Sequence, residues 1–404
     1  MSLHTLMFGW EYPPKNEGGL GVACQGLVKG LLHHGTQVTL VLPSPTSSKE
    51  KNLTMLWPSD EMIKMVRVQS DLQPYDDWVS YAVRQGSPAQ NDTLYGPNLG
   101  QAVEQYTASA VELTKHVNPD VVHCHDWMTY EAGLRAGKHH RKPVVAHVHA
   151  TELDRTNFHP NDWIARRERD SLLKCDKVIA VSGYTKNLLH AHYGIPNDKI
   201  AVVHNGHDHH ARDAKPAVLT AQKNGKKPPL ILFLGRLTVQ KNPRQFLQIA
   251  KLVQKRRPDA RFVMAGDGSM LTWLVDESCR MGLGENMIFA GKVSNREANA
   301  LYSAADCFVM PSLSEPFGLV ALEAIAHGTP VIVSKQSGVS EVLSHAFKVD
   351  YWDTALMADC LLTILREEPL ARQLRAEAPK ILQKLSWKNQ AGAVQSIYQN
   401  LVQS

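Results

Sequence analysis

The sequence predicts an α/β protein made of two Rossmann-like domains, each built on a parallel sheet. Short apolar runs alternate with amphipathic stretches along the chain, which is the pattern of repeated β–α–β units. This alternation stops at His209–Pro229 and then restarts. The length agrees with this division, because 404 residues are enough for two or three domains.

The first half opens with a strand, a helix and a second strand. Leu3–Phe8 and Val38–Leu42 are short and apolar, and Gly21–His33 between them has apolar residues spaced as on one face of a helix. Four more strands are predicted, at Val121–His123, Val144–Val148, Val178–Val181 and Ala201–Val203. The stretch Ser44–Thr93 has no clear period and stays unassigned.

The second half repeats the alternation. A strand at Leu230–Leu234 precedes a helix at Pro243–Gln254, and a separate helix is predicted at Trp387–Val402. Further strands are predicted at Phe262–Ala265, Met287–Ala290, Cys307–Met310 and Val331–Val333. The polar segment His209–Pro229 carries lysines between prolines and is the predicted linker. We therefore place the two domains at 1–212 and 228–385.

Composition and charge exclude several classes of protein. Hydrophobic residues make up 43% and charged residues 21% of the chain, which is typical of a globular protein. The net charge of +5 is spread along the chain, so nucleic-acid binding is not predicted. No apolar run is long enough to cross a membrane, while peripheral membrane contact stays open. The six cysteines form no CxxC pair, and we interpret them as reduced thiols in a cytoplasmic protein.

A glycine-rich turn, Gly18-Gly19-Leu20-Gly21, follows the first strand and precedes the first helix. Glycines let backbone N–H groups come close to a phosphate, and a helix N-terminus adds positive potential. The spacing differs from the GxGxxG pattern of dinucleotide-binding proteins. From the residues alone, a phosphate site and a simple tight turn are equally good interpretations.

A pair of cations follows the first strand of the second half. Arg236 comes directly after Gly235, and Lys241 lies five residues beyond it. Ligands of doubly wound sheets bind at the carboxyl ends of strands, and a guanidinium with an ammonium suits a diphosphate. Two solvated surface cations are the alternative interpretation.

Two glutamates flank the start of a predicted helix after the strand Cys307–Met310. Pro316 suits the first helical position, so we expect a helix to begin there, with Glu315 just before it and Glu323 about two turns in. The N–H groups of Phe317, Gly318 and Leu319 would then be available to an anion. An acidic cap with a surface glutamate is the alternative.

The chain has 19 histidines, some of them clustered at strand ends. His123-Cys124-His125-Asp126 ends one strand, and His147 and His149 end another. Structural zinc sites usually use cysteine pairs or a helical HExxH motif, and neither occurs, so no native metal site is predicted. His149 and Asp126 lie where a site at the carboxyl edge would be.

Taken together, these motifs resemble the retaining glycosyltransferases of family 4, which have the GT-B fold. The stretch from Glu315 to Glu323 resembles the family's E-x7-E signature. Similar segments cover nearly the whole chain in the family's order: FGWEYPP…GGLG, DVVHCHDW, HVHATELDR, VIAVSGYTK, VVHNGHD, GRLTVQKNP, FVMAGDGSM and ALYSAADCFVMPS. The resemblance implies two domains facing a central cleft, and a C-terminal helix, 386–404, that crosses back onto the first domain.

The resemblance also implies roles for individual residues. It implies a catalytic set of His149, Glu315, Arg236 and Lys241. It implies that the donor is bound by Arg236, Lys241, Gly18, Gly19, Leu20, Gly21, Phe317, Gly318, Leu319 and Glu323. Asp126 and Trp127 would shape the acceptor side. No cofactor is implied, because a nucleotide-diphosphate sugar is itself the donor substrate.

The implied activity is metal-independent transfer of a hexosyl group, glucosyl being the favoured case, to a saccharide or other hydroxyl acceptor. Glycogen and starch synthases share some of these motifs. They carry a lysine where this chain has Asn16 and usually lack the second glutamate, present here as Glu323. Family 4 is therefore the better match. Two alternatives remain: a sugar-nucleotide epimerase of the same fold, and a catalytically silent nucleotide-sugar-binding subunit.

Overall fold

The computed structural model describes residues 3–14, 18–44, 46, 48, 50–57, 99–208 and 228–403. The chain divides into two compact units, Met1–Asp208 with Leu385–Ser404, and His209–Lys384. Most of the predicted linker and of the unassigned stretch Ser44–Thr93 lies outside the described residues. Among the described helices, none has the length and apolar character needed to cross a membrane.

The first unit is built on a parallel sheet of seven strands in the order β3-β2-β1-β4-β5-β6-β7. Its strands are β1 (His4–Phe8), β2 (Gln37–Val41), β3 (Leu53–Leu56), β4 (Val121–His125), β5 (Val144–Val148), β6 (Lys177–Ala180) and β7 (Ile200–Val202). Its helices are α1 (Gly19–His33), α2 (Leu99–Thr114), α3 (Trp127–His140), α4 (Glu152–Arg155), α5 (Asp162–Lys174), α6 (Gly183–Tyr193) and a C-terminal helix (Trp387–Gln403).

The second unit is built on a parallel sheet of six strands in the order β10-β9-β8-β11-β12-β13. Its strands are β8 (Leu230–Leu234), β9 (Arg261–Ala265), β10 (Met287–Gly291), β11 (Cys307–Met310), β12 (Val331–Ser334) and β13 (Phe347–Val349). Its helices are α7 (Pro243–Arg256), α8 (Leu271–Arg280), α9 (Asn295–Ala304), α10 (Leu319–Ala326), α11 (Val339–Val342), α12 (Thr354–Arg366), α13 (Glu368–Glu377) and α14 (Lys380–Lys384).

The predicted fold class of two Rossmann-like parallel-sheet domains is confirmed. Every predicted strand is present, and no strand end differs from the prediction by more than two residues. The difference that bears on the site is in β4, which continues to His125 instead of ending at His123. All five residues of β4 are buried, so its polar residues His123 and His125 do not mark the end of the strand.

The C-terminal helix packs on α1 within the first unit. Trp387 fits into a notch lined by Gly26 and Gly30, where a Cβ at either glycine would overlap Trp387 or Ala391. His34 Nε2 is hydrogen-bonded to the Lys388 carbonyl at 2.8 Å. The end of the chain is therefore part of the first unit's packed structure.

We predict that Gly26→Ala destabilises the protein by about 1–3 kcal/mol, because the added methyl group overlaps the Trp387 indole. Urea denaturation measures this change. Gly100→Ala is the matched control, since a Cβ there lies at an ordinary 3.5 Å from Trp163. In that variant, alanine's higher helix propensity leaves stability unchanged or slightly raised. Equal effects of the two substitutions would contradict the notch.

Candidate active site

In the second unit, the loops after two neighbouring strands carry the charged residues singled out in the sequence. β8 and β11 pair in parallel, with Cys307 beside Ile231. Arg236 and Lys241 follow β8, and Glu315 follows β11. Because parallel strands end at the same edge of the sheet, residues far apart in sequence meet there.

Lys241 and Glu315 form an ion pair, with Lys241 Nζ 2.5 Å from Glu315 Oε2. The Ser312 hydroxyl donates a weaker hydrogen bond to the same carboxylate oxygen at 3.4 Å. The Lys241 side chain is 21% exposed and the Glu315 side chain 8% exposed. A pair this sheltered is screened less by salt than a surface pair.

Backbone and amide groups hold the two loops together beside this ion pair. The Leu313 N–H donates to the Gln240 carbonyl at 2.9 Å. The Gln240 side chain donates to the Ser314 carbonyl, and the Asn242 side chain donates to the Pro311 carbonyl, each at 3.1 Å. The loop after β11 is therefore fixed on the short 3₁₀ turn Val239–Lys241.

The prediction that a helix begins at Pro316 is wrong. α10 begins at Leu319, after Gly318 turns the chain with a φ of 109°. The preceding residues stay extended, because Glu315 bridges Ser337 in parallel and the Val339 N–H donates to the Phe317 carbonyl at 2.7 Å. The first-turn N–H groups of this helix are consequently those of Leu319 and the residues after it, rather than those of Phe317 and Gly318.

Glu323 lies one turn into α10 rather than two, because the helix begins later than predicted. The Tyr302 hydroxyl donates to Glu323 Oε2 at 2.9 Å. Burial raises the pKa of the Glu323 carboxyl, while this hydrogen bond and the nearby His327 lower it. Tyr302 stacks on His327, so the carboxylate is held by a packed aromatic pair. Nothing in the spacing of the sequence singled out Tyr302 as its partner.

The loop that contains Arg236 packs backbone to backbone on the loop after β9. The Leu237 N–H donates to the Asp267 carbonyl at 2.9 Å. A Cβ at Gly266 would overlap the Gly235 carbonyl, and one at Gly268 would lie 2.6 Å from the Leu237 carbonyl oxygen. The glycines of the GDG stretch are therefore required for this close approach.

In the first unit, the glycine-rich turn Gly18–Gly21 sits at the start of α1. Gly18 is the residue before the helix, which begins at Gly19 and so slightly earlier than predicted. A Cβ at Gly18 would lie 3.0 Å from Glu11 Oε2, whereas nothing lies within 4 Å of one at Gly19. Leu20 and Gly21 are buried. Asn16 lies outside the described residues.

Asp126 and His149 meet at the ends of β4 and β5. The Asp126 carboxylate accepts a hydrogen bond from the His149 backbone N–H at 2.7 Å. Asp126 has a φ of 58°, which turns the chain sharply into α3. Burial lowers the pKa of His149, and the Asp126 charge opposes this shift. Trp127, the next residue, is 1% exposed and packs edge-on against Trp163.

Four imidazoles pack together on β4, on β5 and directly after β5, and we call them the histidine cluster: His123, His125, His147 and His149. Strand register sets His125 beside His147. Burial lowers the pKa of His123 to about 3, and it lowers the pKa values of His125 and His147 well below the ordinary range. The rings are therefore neutral near pH 7.

A buried ion pair holds the loop that follows His149. Arg155 Nη2 lies 2.5 Å from Glu168 Oε1, and both side chains are almost fully buried. Arg155 also donates to the Ala150 carbonyl at 3.0 Å. The Glu168 carboxylate accepts the Glu152 N–H at 3.0 Å and the Tyr193 hydroxyl at 2.5 Å. The sequence analysis missed this network, because nothing in the spacing pairs Arg155 with Glu168.

Family models match both halves of the chain. The model of the family "Glycosyltransferase Family 4" matches residues 17–211, and the model of the family "Glycosyl transferases group 1" matches residues 218–381. An uncharacterized glycosyltransferase of Methanocaldococcus jannaschii is 30% identical over 356 residues, which are 85% of this chain and 83% of that protein. The glycogen synthase of Mycobacterium tuberculosis is 28% identical over 418 residues, covering 98% and 94% of the two chains.

Solved structures share the fold. A sucrose-phosphate synthase from Thermosynechococcus elongatus has a TM-score of 0.77 at 17% identity, with 99% of both chains covered. The Anabaena protein HepE, solved with UDP and glucose, has a TM-score of 0.73 at 18% identity, covering 99% of this chain and 100% of that one. The chain thus has the GT-B fold, and its family matches and relatives make it a glycosyltransferase. The chain belongs to glycosyltransferase family 4.

We predict that Arg155→Met destabilises the protein by about 3 kcal/mol or more, because it leaves the Glu168 carboxylate buried without its cation. Urea denaturation measures the loss. Arg135→Met is the matched control, since Arg135 is 47% exposed in its 2.8 Å pair with Glu131. That variant should lose less than about 1 kcal/mol. A small loss in both variants would show that the buried pair does not stabilise the fold.

Proposed function

We propose that this glycosyltransferase transfers a hexosyl group, glucosyl being the favoured case, from a nucleotide-diphosphate sugar to a hydroxyl of a saccharide or another acceptor. Anomeric configuration is retained, and no metal ion is needed on the diphosphate. The observation that carries the proposal is the sheltered Lys241–Glu315 pair beside the N-terminus of α10. The names of the related glycogen and sucrose-phosphate synthases support the saccharide acceptor.

The chemistry explains why cations are needed at this edge. As the bond between sugar and diphosphate breaks, negative charge grows on the departing phosphate and the sugar becomes oxocarbenium-like. Preorganised donors aimed at such a charge often contribute more to the rate of an enzyme than any other single effect. In the proposal, Lys241, Arg236 and the first-turn N–H groups of α10 stabilise the leaving diphosphate. These groups take the place of a divalent ion.

The two glutamates have separate roles in the proposal. Glu315 orients Lys241 through the ion pair and accepts a hydrogen bond from a hydroxyl of the donor sugar. Glu323, held by Tyr302, accepts from the hydroxyls of the ribose. A carboxylate can accept two such bonds at once, which suits a vicinal diol.

In the first unit, we assign His149 to the acceptor side of the sugar and Gly18–Gly21 to the diphosphate. Asp126 positions His149 by accepting its backbone N–H. Trp127 shapes the acceptor side from within the core of the unit, since its ring is buried. The acceptor oxygen attacks the anomeric carbon on the face from which the diphosphate leaves. Its proton passes to the departing phosphate oxygen, so no separate general base is required.

We predict that one nucleotide among ADP, UDP and GDP, or its glucose conjugate, raises the melting temperature, because a ligand that binds only the native state stabilises it. Thermal-shift measurements with and without Mg²⁺ should give equal shifts. Glu323→Gln should reduce the shift, and Glu285→Gln, at an exposed position, should leave it unchanged. If none of the nucleotides shifts the transition, the donor-site assignment is wrong.

We predict that Lys241→Met lowers kcat by about 100-fold or more, because it removes charge that stabilises the leaving diphosphate. Nucleotide release from the donor identified by thermal shift, with candidate acceptors, measures this. Lys255→Met is the control, since Lys255 is an exposed lysine near the far end of α7. Circular dichroism checks that both variants are folded. Unchanged turnover in Lys241→Met would remove the diphosphate role.

A further inference from the structure

The histidine cluster contains buried polar atoms that the proposed reaction does not use. Among the described residues, His123 Nε2, His125 Nε2 and both ring nitrogens of His147 are buried without a hydrogen-bond partner, and so is His149 Nδ1. Leaving such atoms unpaired away from water is costly, so each one calls for an explanation. One ring nitrogen from each of His123, His125 and His147 lies within 4.8 Å of those of the other two.

The remaining nitrogens of two of these rings have hydrogen-bond partners. His123 Nδ1 is 2.5 Å from the Tyr398 hydroxyl, and His125 Nδ1 is 2.9 Å from His149 Nε2. If both Nδ1 atoms carry the proton and donate it, both Nε2 atoms keep a lone pair that is available to a metal ion. Metal-ligating histidines nearly always use their second nitrogen in this way.

We propose that His123, His125 and His147 bind one divalent transition-metal ion of the zinc class. Three neutral imidazoles suit such an ion, and the fourth position is left for water. At a metal–nitrogen distance of about 2.05 Å, tetrahedral ligand nitrogens stand about 3.4 Å apart. Nitrogens that lie up to 4.8 Å apart must therefore close by up to about 1.4 Å to reach the metal–nitrogen distance typical of zinc. His147 can turn most easily, because neither of its ring nitrogens is held by a hydrogen bond.

This metal site is not the donor site proposed for the second unit, where the diphosphate is bound without a metal ion. It lies in the first unit, under the C-terminal helix that supplies Tyr398. The sequence analysis predicted no native metal site, because the sequence has neither a cysteine pair nor an HExxH motif. The proposed site departs from that prediction. The available signal was an H-x-H pair at the end of each of two strands that become neighbours in parallel register.

The test uses the full chain purified without a histidine tag, and metal content is measured by mass spectrometry. Apoprotein prepared with a chelator is then titrated with Zn²⁺ against a chromophoric competitor. We expect one equivalent per chain with a Kd below about 1 μM and a higher melting temperature. Co²⁺ in the same protein should give the visible absorption of a tetrahedral site.

Three variants separate this site from surface binding. His147→Gln should weaken Zn²⁺ binding by at least about 100-fold, and Tyr398→Phe, which leaves all three ligands, by about 10- to 100-fold. His139→Gln removes an exposed histidine and should change nothing. If the wild-type apoprotein takes up no Zn²⁺ well above the expected Kd, or if His147→Gln binds as the wild type does, buried water and not a metal satisfies these nitrogens. The wild-type titration decides even if a variant fails to fold.

Discussion

Parallel pairing in register determines where the chemistry of this protein lies. In the first unit, β4 and β5 pair so that His125 stands beside His147, and the loops that follow carry Asp126 and His149. In the second unit, the pairing of β8 with β11 brings the segment ending at Lys241 to the loop of Glu315. In a parallel sheet, residues that pair across neighbouring strands have their side chains on the same face, and the strands end at the same edge of the sheet. Moving the pairing of β4 with β5 by one residue would turn the histidines of one strand to the other face of the sheet.

The largely buried carboxylates of both units are each held by several partners. The Glu315 carboxylate receives Lys241 and Ser312, while side-chain and backbone bonds fix the loop around it. The Glu168 carboxylate receives Arg155 and Tyr193 in the same manner. Removing charges from water is costly unless partners replace the solvent. In the proposed reaction, Lys241 and Glu315, held in this way, would not need to reorganise as charge develops on the diphosphate.

The end of the chain belongs to the same arrangement. Trp387 anchors the C-terminal helix in the glycine notch of α1, and Tyr398 of that helix reaches His123 on β4. His123 stacks on His125, which is hydrogen-bonded to His149. A continuous chain of packed and hydrogen-bonded side chains therefore runs from the C-terminal helix to the residue assigned to the acceptor side. The packing of the helix and the orientation of the His149 ring are thereby physically connected.

The sequence by itself determined the alternation of strands and helices, because apolar runs long enough for a buried strand are read directly from local composition. It also placed Arg236, Lys241 and Glu315 near strand ends, with Glu323 in the helix that follows Glu315. Through the family resemblance, it indicated a sugar-nucleotide enzyme. Only the tertiary structure decided that Lys241 pairs with Glu315, 74 residues away, and that Tyr302 holds Glu323. It also moved the start of α10 from Pro316 to Leu319, because the bridge between Glu315 and Ser337 competes with helix formation. Local preference sets the elements, whereas contacts between distant residues depend on strand order and register, which no local pattern encodes.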